Sequence, residues 1–130
     1  MDYVIVIIAG VAGYVFGAVW YGALGAKWQA LVGLGPEDVK PGANIRAYVL
    51  GVVANIVVAG MMRHIFVASG VEGVLNAAVS GLGLGLFIAG SYLAINYAFA
   101  RRPMGLSLID IGHAAGSATV IAIALDLLRP

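Results

Sequence analysis

The sequence predicts an all-α membrane protein, with four transmembrane helices in an antiparallel bundle and both termini on the same side. Of its 130 residues, 62% are hydrophobic and 10% are charged, and the mean hydropathy is +1.03. A soluble domain of this size needs a far more polar surface. Four apolar runs are each long enough to cross a hydrocarbon core of about 30 Å. We therefore expect one transmembrane domain over residues 1–130, with the lipid bilayer around it.

Composition argues against several other classes of protein. The net charge of +1 gives a nucleic-acid partner no electrostatic basis. The chain has no cysteine, which excludes disulfides, Cys-ligated zinc and thiol catalysis. We expect neither a metal site nor a cofactor. The chain begins Met1-Asp2-Tyr3 without a basic segment, so we interpret its first apolar run as a retained helix rather than a secretory signal.

The first helix is predicted at about residues 3–25, followed by a polar connection at about 27–43 that is rich in Pro and Gly. Gly13 and Gly17 form a GxxxG pair, which predicts a face that contacts another helix. Its alternative is the ordinary enrichment of glycine in membrane helices. We interpret the connection as a solvated loop rather than an active site.

The second helix is predicted at about residues 43–69. Small residues recur along one side of it at intervals of four, and Gly51 is among them, so this side should face another helix. Asn55 would lie near the middle of the membrane, where an amide needs a partner because no water is available. We expect it to form an interhelical hydrogen bond. The alternative is that it lines a polar pathway.

The third and fourth helices are predicted at about residues 74–100 and 104–128, separated by a break at Arg101-Arg102-Pro103. The third helix carries a stripe of small residues at intervals of four, which predicts close packing against a neighbour. A glycine-lined pore is the alternative. The stripe consists of Ala77, Gly81, Gly85 and Ala89.

The distribution of Lys and Arg predicts the orientation. The side that holds the first and third connections carries five of the seven basic residues, and the opposite side carries two. By the positive-inside rule, the 27–43 connection is cytoplasmic in a bacterial inner membrane, and both termini are periplasmic. The five are Lys27, Lys40, Arg46, Arg101 and Arg102, and the two are Arg63 and Arg129.

Two segments of the chain resemble the signatures of a known family. The first is GAVWYG at residues 17–22, and the second is INYAF at 95–99, followed by LIDIGH at 108–113. Together they resemble a small bacterial membrane family catalogued as a domain of unknown function, number seventeen sixty-one. The resemblance covers nearly the whole chain and implies a four-helix membrane protein. The chain departs from the family's pattern at Ala23, where the family often has Pro, and near His113, where it often has Tyr.

The most conspicuous polar residues are predicted to meet in one layer near the cytoplasmic face. Asp110 and His113 share one face of the fourth helix, and Asn96 lies at a similar depth on the third. Tyr21 and Arg102 lie close to the same level. We expect Asp110 with Asn96 to form the centre of this polar layer, to which Asn55 adds a deeper amide.

Three roles are open for the layer. Ionisable groups inside a membrane are costly unless paired, so Asp110 is either a structural lock between helices or part of a proton or solute pathway. His113 as an axial ligand to haem or chlorophyll is a third role, although a lone histidine provides no second-ligand spacing. Asp110, His113 and Ser117 lie on one helix with no nucleophile elbow, so they do not predict a catalytic triad. We expect no enzyme activity.

The predicted function follows from these patterns. There are more small-residue faces than one compact bundle needs, which favours a homo-oligomer or attachment to a larger membrane complex. The chain is therefore predicted to be a non-enzymatic accessory or scaffold subunit. The alternative is a small proton- or solute-conducting transporter or channel that uses Asp110 and His113.

Overall fold

The computed structural model describes residues 3–130, and four long helices dominate it. They are α1 (Tyr3–Val32), α2 (Ile45–Ser69), α3 (Val74–Phe99) and α4 (Met104–Leu127). Each is long and apolar enough to cross a membrane. The predicted all-α fold with four membrane-spanning helices is therefore confirmed. A single 3₁₀ turn, Pro36–Val39, lies in the connection between α1 and α2.

Helix α1 continues seven residues beyond its predicted end at Gly25. Residues 26–32 read AKWQALV and contain neither Gly nor Pro, so nothing in them stops a helix. The helix ends where Gly33 adopts a left-handed φ of 86° and donates its N–H to the carbonyl of Gln29 at 2.9 Å. Lys27 and Trp28 are consequently helical, and the connection to α2 is shorter than predicted.

Local capping sets both ends of α2. The side chain of Asn44 accepts a hydrogen bond from the backbone N–H of Ala47 at 3.2 Å and begins the helix. Gly70 ends it with φ at 66°, and its N–H and that of Val71 both donate to the carbonyl of Phe66. These caps place both ends of α2 within two residues of the predicted boundaries.

Helix α4 lies at the centre of the arrangement. It packs along α1 and α3 and also contacts α2, while α2 packs on α1. Among the described residues, α2 and α3 make almost no contact with each other. The three buried polar residues of the described chain, Ser107, Asp110 and Ser117, all belong to α4. The bundle is therefore open on the side between α2 and α3.

The apolar core lies towards the end of the bundle where the chain termini are, which we call the terminal end. Ile121 and Leu125 of α4 meet Met62 and Phe66 of α2 there, with small alanines filling the spaces between helices. The opposite end, which holds the connection 33–44 and the bend 100–103, is called the loop end. Ser107 and Asp110, two of the three buried polar side chains of the described residues, lie in the half of the bundle nearer to it.

Glycines allow α1 to lie close to its neighbours. A Cβ atom added at Gly13 would lie 2.6 Å from Cγ1 of Ile121, and one added at Gly17 would lie 2.7 Å from Nε2 of His113. On α2, a Cβ at Gly51 would lie 3.1 Å from the ring of Tyr14. The small-residue faces of α1 and α2 therefore lie in helix–helix contacts.

The small-residue stripe of α3 faces α4, but it changes register partway. Ala77, Gly81 and Gly85 are buried, whereas Ala89 is exposed and Gly90 is buried instead. The prediction for Ala89 is wrong because Leu84–Ala89 is π-helical, with the N–H of Gly90 bonded to the carbonyl of Gly85. This wider turn adds one residue and moves the inward face along the chain by one position.

Close packing at Gly85 predicts the effect of adding a methyl group there. An alanine Cβ would lie 2.5 Å from the carbonyl oxygen of Ala114, which is backbone and cannot move aside. We expect Gly85→Ala to lower the free energy of unfolding in mild detergent by about 1–3 kcal/mol. Gly83→Ala on the same helix meets nothing within 4 Å and should leave stability equal or slightly higher. Equal losses in both variants would contradict this account of the packing.

The π-helical turn predicts an unusual tolerance to deletion. The turn contains one residue more than a regular α-helix would, so removing the exposed Phe87 should convert it to regular α-helix. The residues of α3 before and after the turn should then keep the same sides towards α4. Removing both Phe87 and Ile88 should rotate all later residues of α3 by about 100°. We expect thermal unfolding in detergent to show a small loss for the single deletion and a large one for the double. The reverse order would disprove the register argument.

Candidate functional site

A buried carboxylate joins three of the four helices. Asp110 of α4 is 7% exposed. The hydroxyl of Tyr21 from α1 donates to its Oδ1 at 2.5 Å, and the hydroxyl of Tyr97 from α3 donates to its Oδ2 at 2.6 Å. Hydrogen bonds to an ionised oxygen are stronger than those between neutral groups. We call Tyr21, Tyr97 and Asp110 the carboxylate clasp.

Asn96, which was predicted to partner Asp110, does not do so. Its side chain is exposed, and the neighbouring Tyr97 takes its place. On a regular helix, Asn96 would lie three turns after Gly85 and on the same side. The π-helical turn shifts the inward face by one residue, which brings Tyr97 to Asp110 and turns Asn96 outwards. The prediction of Asn96 at the centre of the layer is therefore wrong.

Arg102 also lies outside the clasp. It is exposed beyond the end of α3, and its side chain forms no salt bridge with Asp110 in the described part of the chain. Two hydroxyl donors already occupy the carboxylate oxygens, so the guanidinium is not needed there. Its backbone N–H instead donates to the carbonyl of Tyr97 at 2.9 Å and helps to end α3.

The sequence analysis did not select Tyr97 as a site residue, and the spacing of small residues does not reveal it. Ala89 continues the four-residue interval of Ala77, Gly81 and Gly85, so the sequence predicts a regular helix. Only the structure shows that Gly90 rather than Ala89 faces inwards, which brings Tyr97 rather than Asn96 to Asp110.

A second polar contact lies deeper in the bundle. The hydroxyl of Ser117 on α4 donates to Oδ1 of Asn55 at 2.9 Å and lies 3.3 Å from the carbonyl oxygen of Gly13. The side-chain N–H of Asn55 donates to the carbonyl of Gly51 at 2.8 Å. Ser117 follows Asp110 by about two helical turns, or about 10 Å. Asn55 therefore belongs to a separate contact between α1, α2 and α4.

His113 lies between the two polar contacts and next to aromatic rings. Its ring centroid is 5.0 Å from that of Tyr21 and 6.5 Å from that of Phe16. The missing side chain of Gly17 makes room for its Nε2. Among the described residues, neither ring nitrogen has a hydrogen-bond partner. His113 is thus held by packing alone.

The two tryptophans of α1 have different surroundings. The indole N–H of Trp20 donates to the carbonyl of Ile109 at 3.0 Å, and its ring covers Gly112 on α4. Trp28 packs edge-on against the ring of Tyr21, with centroids 5.7 Å apart. Trp20 therefore helps to fix the rotation of α1 against α4, while Trp28 supports the ring of Tyr21 from within α1.

A partly open groove of about 800 Å³ runs from the loop end to the level of Asn55. α1 and α4 form its floor, while α2, α3 and the connection 33–44 contribute its sides. Polar and aromatic side chains dominate the lining, including both tyrosines of the clasp and Asp110 itself. Others are Tyr14, Trp28, Tyr48, Asn55 and His113.

This arrangement limits the chemistry of the site. No cluster of three or more His, Asp or Glu side chains that could hold a metal ion occurs in residues 3–130. Both oxygens of Asp110 already accept hydrogen bonds from tyrosines, so the carboxylate is not presented as an open base. His113 is the ionisable side chain of the groove that lies inside a span and has a ring nitrogen available for another molecule.

The carboxylate clasp predicts a matched set of stability changes. Tyr21→Phe and Tyr97→Phe each leave one oxygen of a buried carboxylate without a donor, so each should lower the free energy of unfolding by about 1–2 kcal/mol. Tyr92→Phe on α3 is the control, because that side chain is 66% exposed. Thermal unfolding in mild detergent measures all three. A loss at Tyr92 as large as at Tyr97 would contradict a specific role for the clasp.

Comparison with known proteins identifies a family and no close relative. Neither the curated proteins nor the solved structures contain a match to this chain. Residues 4–125, nearly the whole chain, match a family described as "Protein of unknown function (DUF1761)". The matched range includes all three residues of the carboxylate clasp and both residues of the Asn55–Ser117 contact. The chain therefore belongs to the DUF1761 family.

Proposed function

We propose that this protein is a non-enzymatic accessory or scaffold subunit of a bacterial inner membrane, which packs against a second copy or a larger membrane protein. The carboxylate clasp is the observation that carries the proposal. Its single buried acid is used completely in joining α1, α3 and α4. Both oxygens of Asp110 accept hydrogen bonds from tyrosines on other helices. The carboxylate therefore holds these helices in a fixed arrangement, as a scaffold surface requires.

The separation of the polar groups supports a lock over a proton relay. A relay needs exchangeable groups within hydrogen-bond reach of one another, at about 2.6–3.2 Å. Here the clasp and the Asn55–Ser117 contact form two closed sets, and His113 between them is not hydrogen-bonded to either. Within residues 3–130, no continuous series of side-chain hydrogen bonds connects the two sets.

The open side of the bundle supports an external partner. α2 and α3 scarcely touch, and both have extensive apolar surface away from α1 and α4. In a membrane, helices associate through close packing and polar contacts rather than through the hydrophobic effect. A gap that contains polar side chains therefore favours a partner over lipid alone. With the loop end in the cytoplasm, as the basic residues favour, both termini lie in the periplasm.

Transport of protons or a small solute is the second candidate, and the groove favours it. A groove of about 800 Å³ that extends from the loop end to Asn55 brings polar side chains deep into the span. In this alternative, Asp110 and His113 contact the permeating species. The groove ends at the level of the Asn55–Ser117 contact, beyond which Ile121 and Leu125 close the core. That closed end favours binding over passage.

Liposome flux and stability together test the proposal. We expect the purified protein, reconstituted with a pH-sensitive dye inside the vesicles, to give no proton flux above empty vesicles. Asp110→Asn should lower the unfolding temperature, because an amide cannot accept from both tyrosines as an anionic carboxylate does. Glu37→Gln in the exposed 3₁₀ turn is the control and should behave as wild type, because its carboxylate makes only an exposed ion pair with Lys40 and does not line the groove. Flux in the wild type that disappears in Asp110→Asn would establish the transport alternative instead.

The partner itself is tested by mild solubilisation and pull-down. We expect either a homo-oligomer by light scattering or a stoichiometric membrane protein that co-purifies. A monodisperse monomer in both detergent and lipid, with no co-purifying protein, would contradict the scaffold proposal.

A further inference from the structure

The groove is open on a side of the bundle that faces the bilayer. It lies at the side where α2 and α3 do not pack on each other. At the loop end, the connection 33–44 lines it with the apolar side chains of Leu34 and Val39 and with the polar side chains of Asp38, Lys40 and Asn44. A molecule dissolved in the membrane can therefore enter sideways between the two helices. This entry route selects for ligands with substantial apolar character.

Polar side chains line the groove deep within the membrane, and this depth restricts the charge that the polar head of a ligand can carry. Tyr21, His113 and Asn55 belong to the spanning segments, and Asn55 is near the middle of α2. The charged headgroup of a phospholipid stays at the membrane surface, so its acyl chains would face these polar side chains. An uncharged polar head, by contrast, can reach this depth at low cost.

Hydrogen bonding in the groove indicates what that head should offer. The clasp and Asn55 are already engaged with protein partners. His113 is not, and a neutral imidazole provides one N–H donor and one acceptor nitrogen. A ligand carbonyl would accept from that donor and satisfy a polar group that the protein itself leaves unpaired.

The shape and composition of the groove favour a planar head. Five aromatic side chains besides His113 line it, namely Tyr14, Tyr21, Trp28, Tyr48 and Tyr97. Aromatic rings pack well against another flat ring in stacked or edge-on geometry. The volume of about 800 Å³ is within the range of sites that enclose a small organic ligand. It accommodates a ring and the first part of an apolar tail.

We infer that this groove binds a membrane-dissolved amphiphile with a neutral, planar, carbonyl-bearing head and an apolar tail, which is the chemistry of an isoprenoid quinone. The head lies among the aromatic side chains and accepts a hydrogen bond from His113, and the tail leaves between α2 and α3. The inference concerns binding alone and includes no electron transfer. It does not depend on the scaffold proposal, since a subunit with or without partners can hold such a ligand.

Quenching of tryptophan fluorescence by decyl-ubiquinone tests the inference on the full chain in phosphatidylcholine nanodiscs. The chain contains two tryptophans, of which Trp28 lines the groove and Trp20 does not. We expect quenching that saturates with added quinone in the wild type. In Trp28→Phe, which reports Trp20 alone, the saturable component should be much smaller. Because phosphatidylcholine is in large excess, saturation also shows that the site prefers the quinone to phospholipid.

Matched variants locate the site. Ala47→Phe fills the groove from α2 and should weaken binding by about tenfold or more, whereas Val53→Phe on the lipid-exposed part of the same helix should stay within about twofold. Ala18→Phe fills the groove from α1 and provides a second blocking variant if Ala47→Phe does not fold, as judged by circular dichroism. His113→Phe keeps a flat ring without the donor and should weaken binding by about fivefold.

Three results would overturn the inference. Quenching that rises without saturation and is equal in Ala47→Phe and Val53→Phe would mean that the quinone only dissolves in the bilayer. Loss of the saturable quenching when decanol is added at a concentration equal to that of decyl-ubiquinone would mean that the groove recognises the alkyl chain and not the quinone head. Unchanged binding in His113→Phe would remove the assigned hydrogen bond and with it the reason for a carbonyl head.

Discussion

The hydrogen bonds from Tyr21 and Tyr97 to Asp110 are the interaction on which the arrangement of helices depends. A lone carboxylate inside a membrane is costly, and its cost is reduced when charge-assisted hydrogen bonds replace water. Here the two donors come from α1 and α3, which both pack on α4. Because Asp110 accepts both of these hydrogen bonds, the rotations of α1, α3 and α4 are fixed relative to one another. The remaining contacts of the loop end, including Trp20 and His113, are consistent with that rotation.

The π-helical turn of α3 makes this interaction geometrically possible. α3 places Gly85 against the backbone of Ala114 and Ala115. About three turns further along, it also places the hydroxyl of Tyr97 within hydrogen-bond distance of Asp110. A regular helix from Gly85 would present Asn96 at that level, whose side chain is shorter than that of tyrosine. One extra residue in the turn reconciles close packing at Gly85 with the longer side chain at Tyr97. Packing and polar contact on α3 are thus coupled through backbone geometry.

The same constraint leaves the bundle open. Because α4 serves as the common neighbour, α1, α2 and α3 are arranged around it, and α2 and α3 lie too far apart to close a square bundle. The space between them becomes the groove, which has the clasp in its lining and His113 beside it. The proposed scaffold surface and the inferred ligand site therefore both lie on this open side.

Hydropathy and helix-breaking residues by themselves determined the four spans, because a hydrocarbon solvent admits few alternatives to a continuous apolar helix. Those patterns also located Asp110 as the polar residue of greatest interest and Asn55 as an amide that needs a partner. The partners themselves were decided by tertiary structure. Whether Asn96 or Tyr97 faces Asp110 depends on a rotation of about 100°, which the π-helical turn sets through the packing of Gly85. The openness of the bundle likewise depends on which helix lies at the centre, and periodicity along a single helix carries no information about its neighbours.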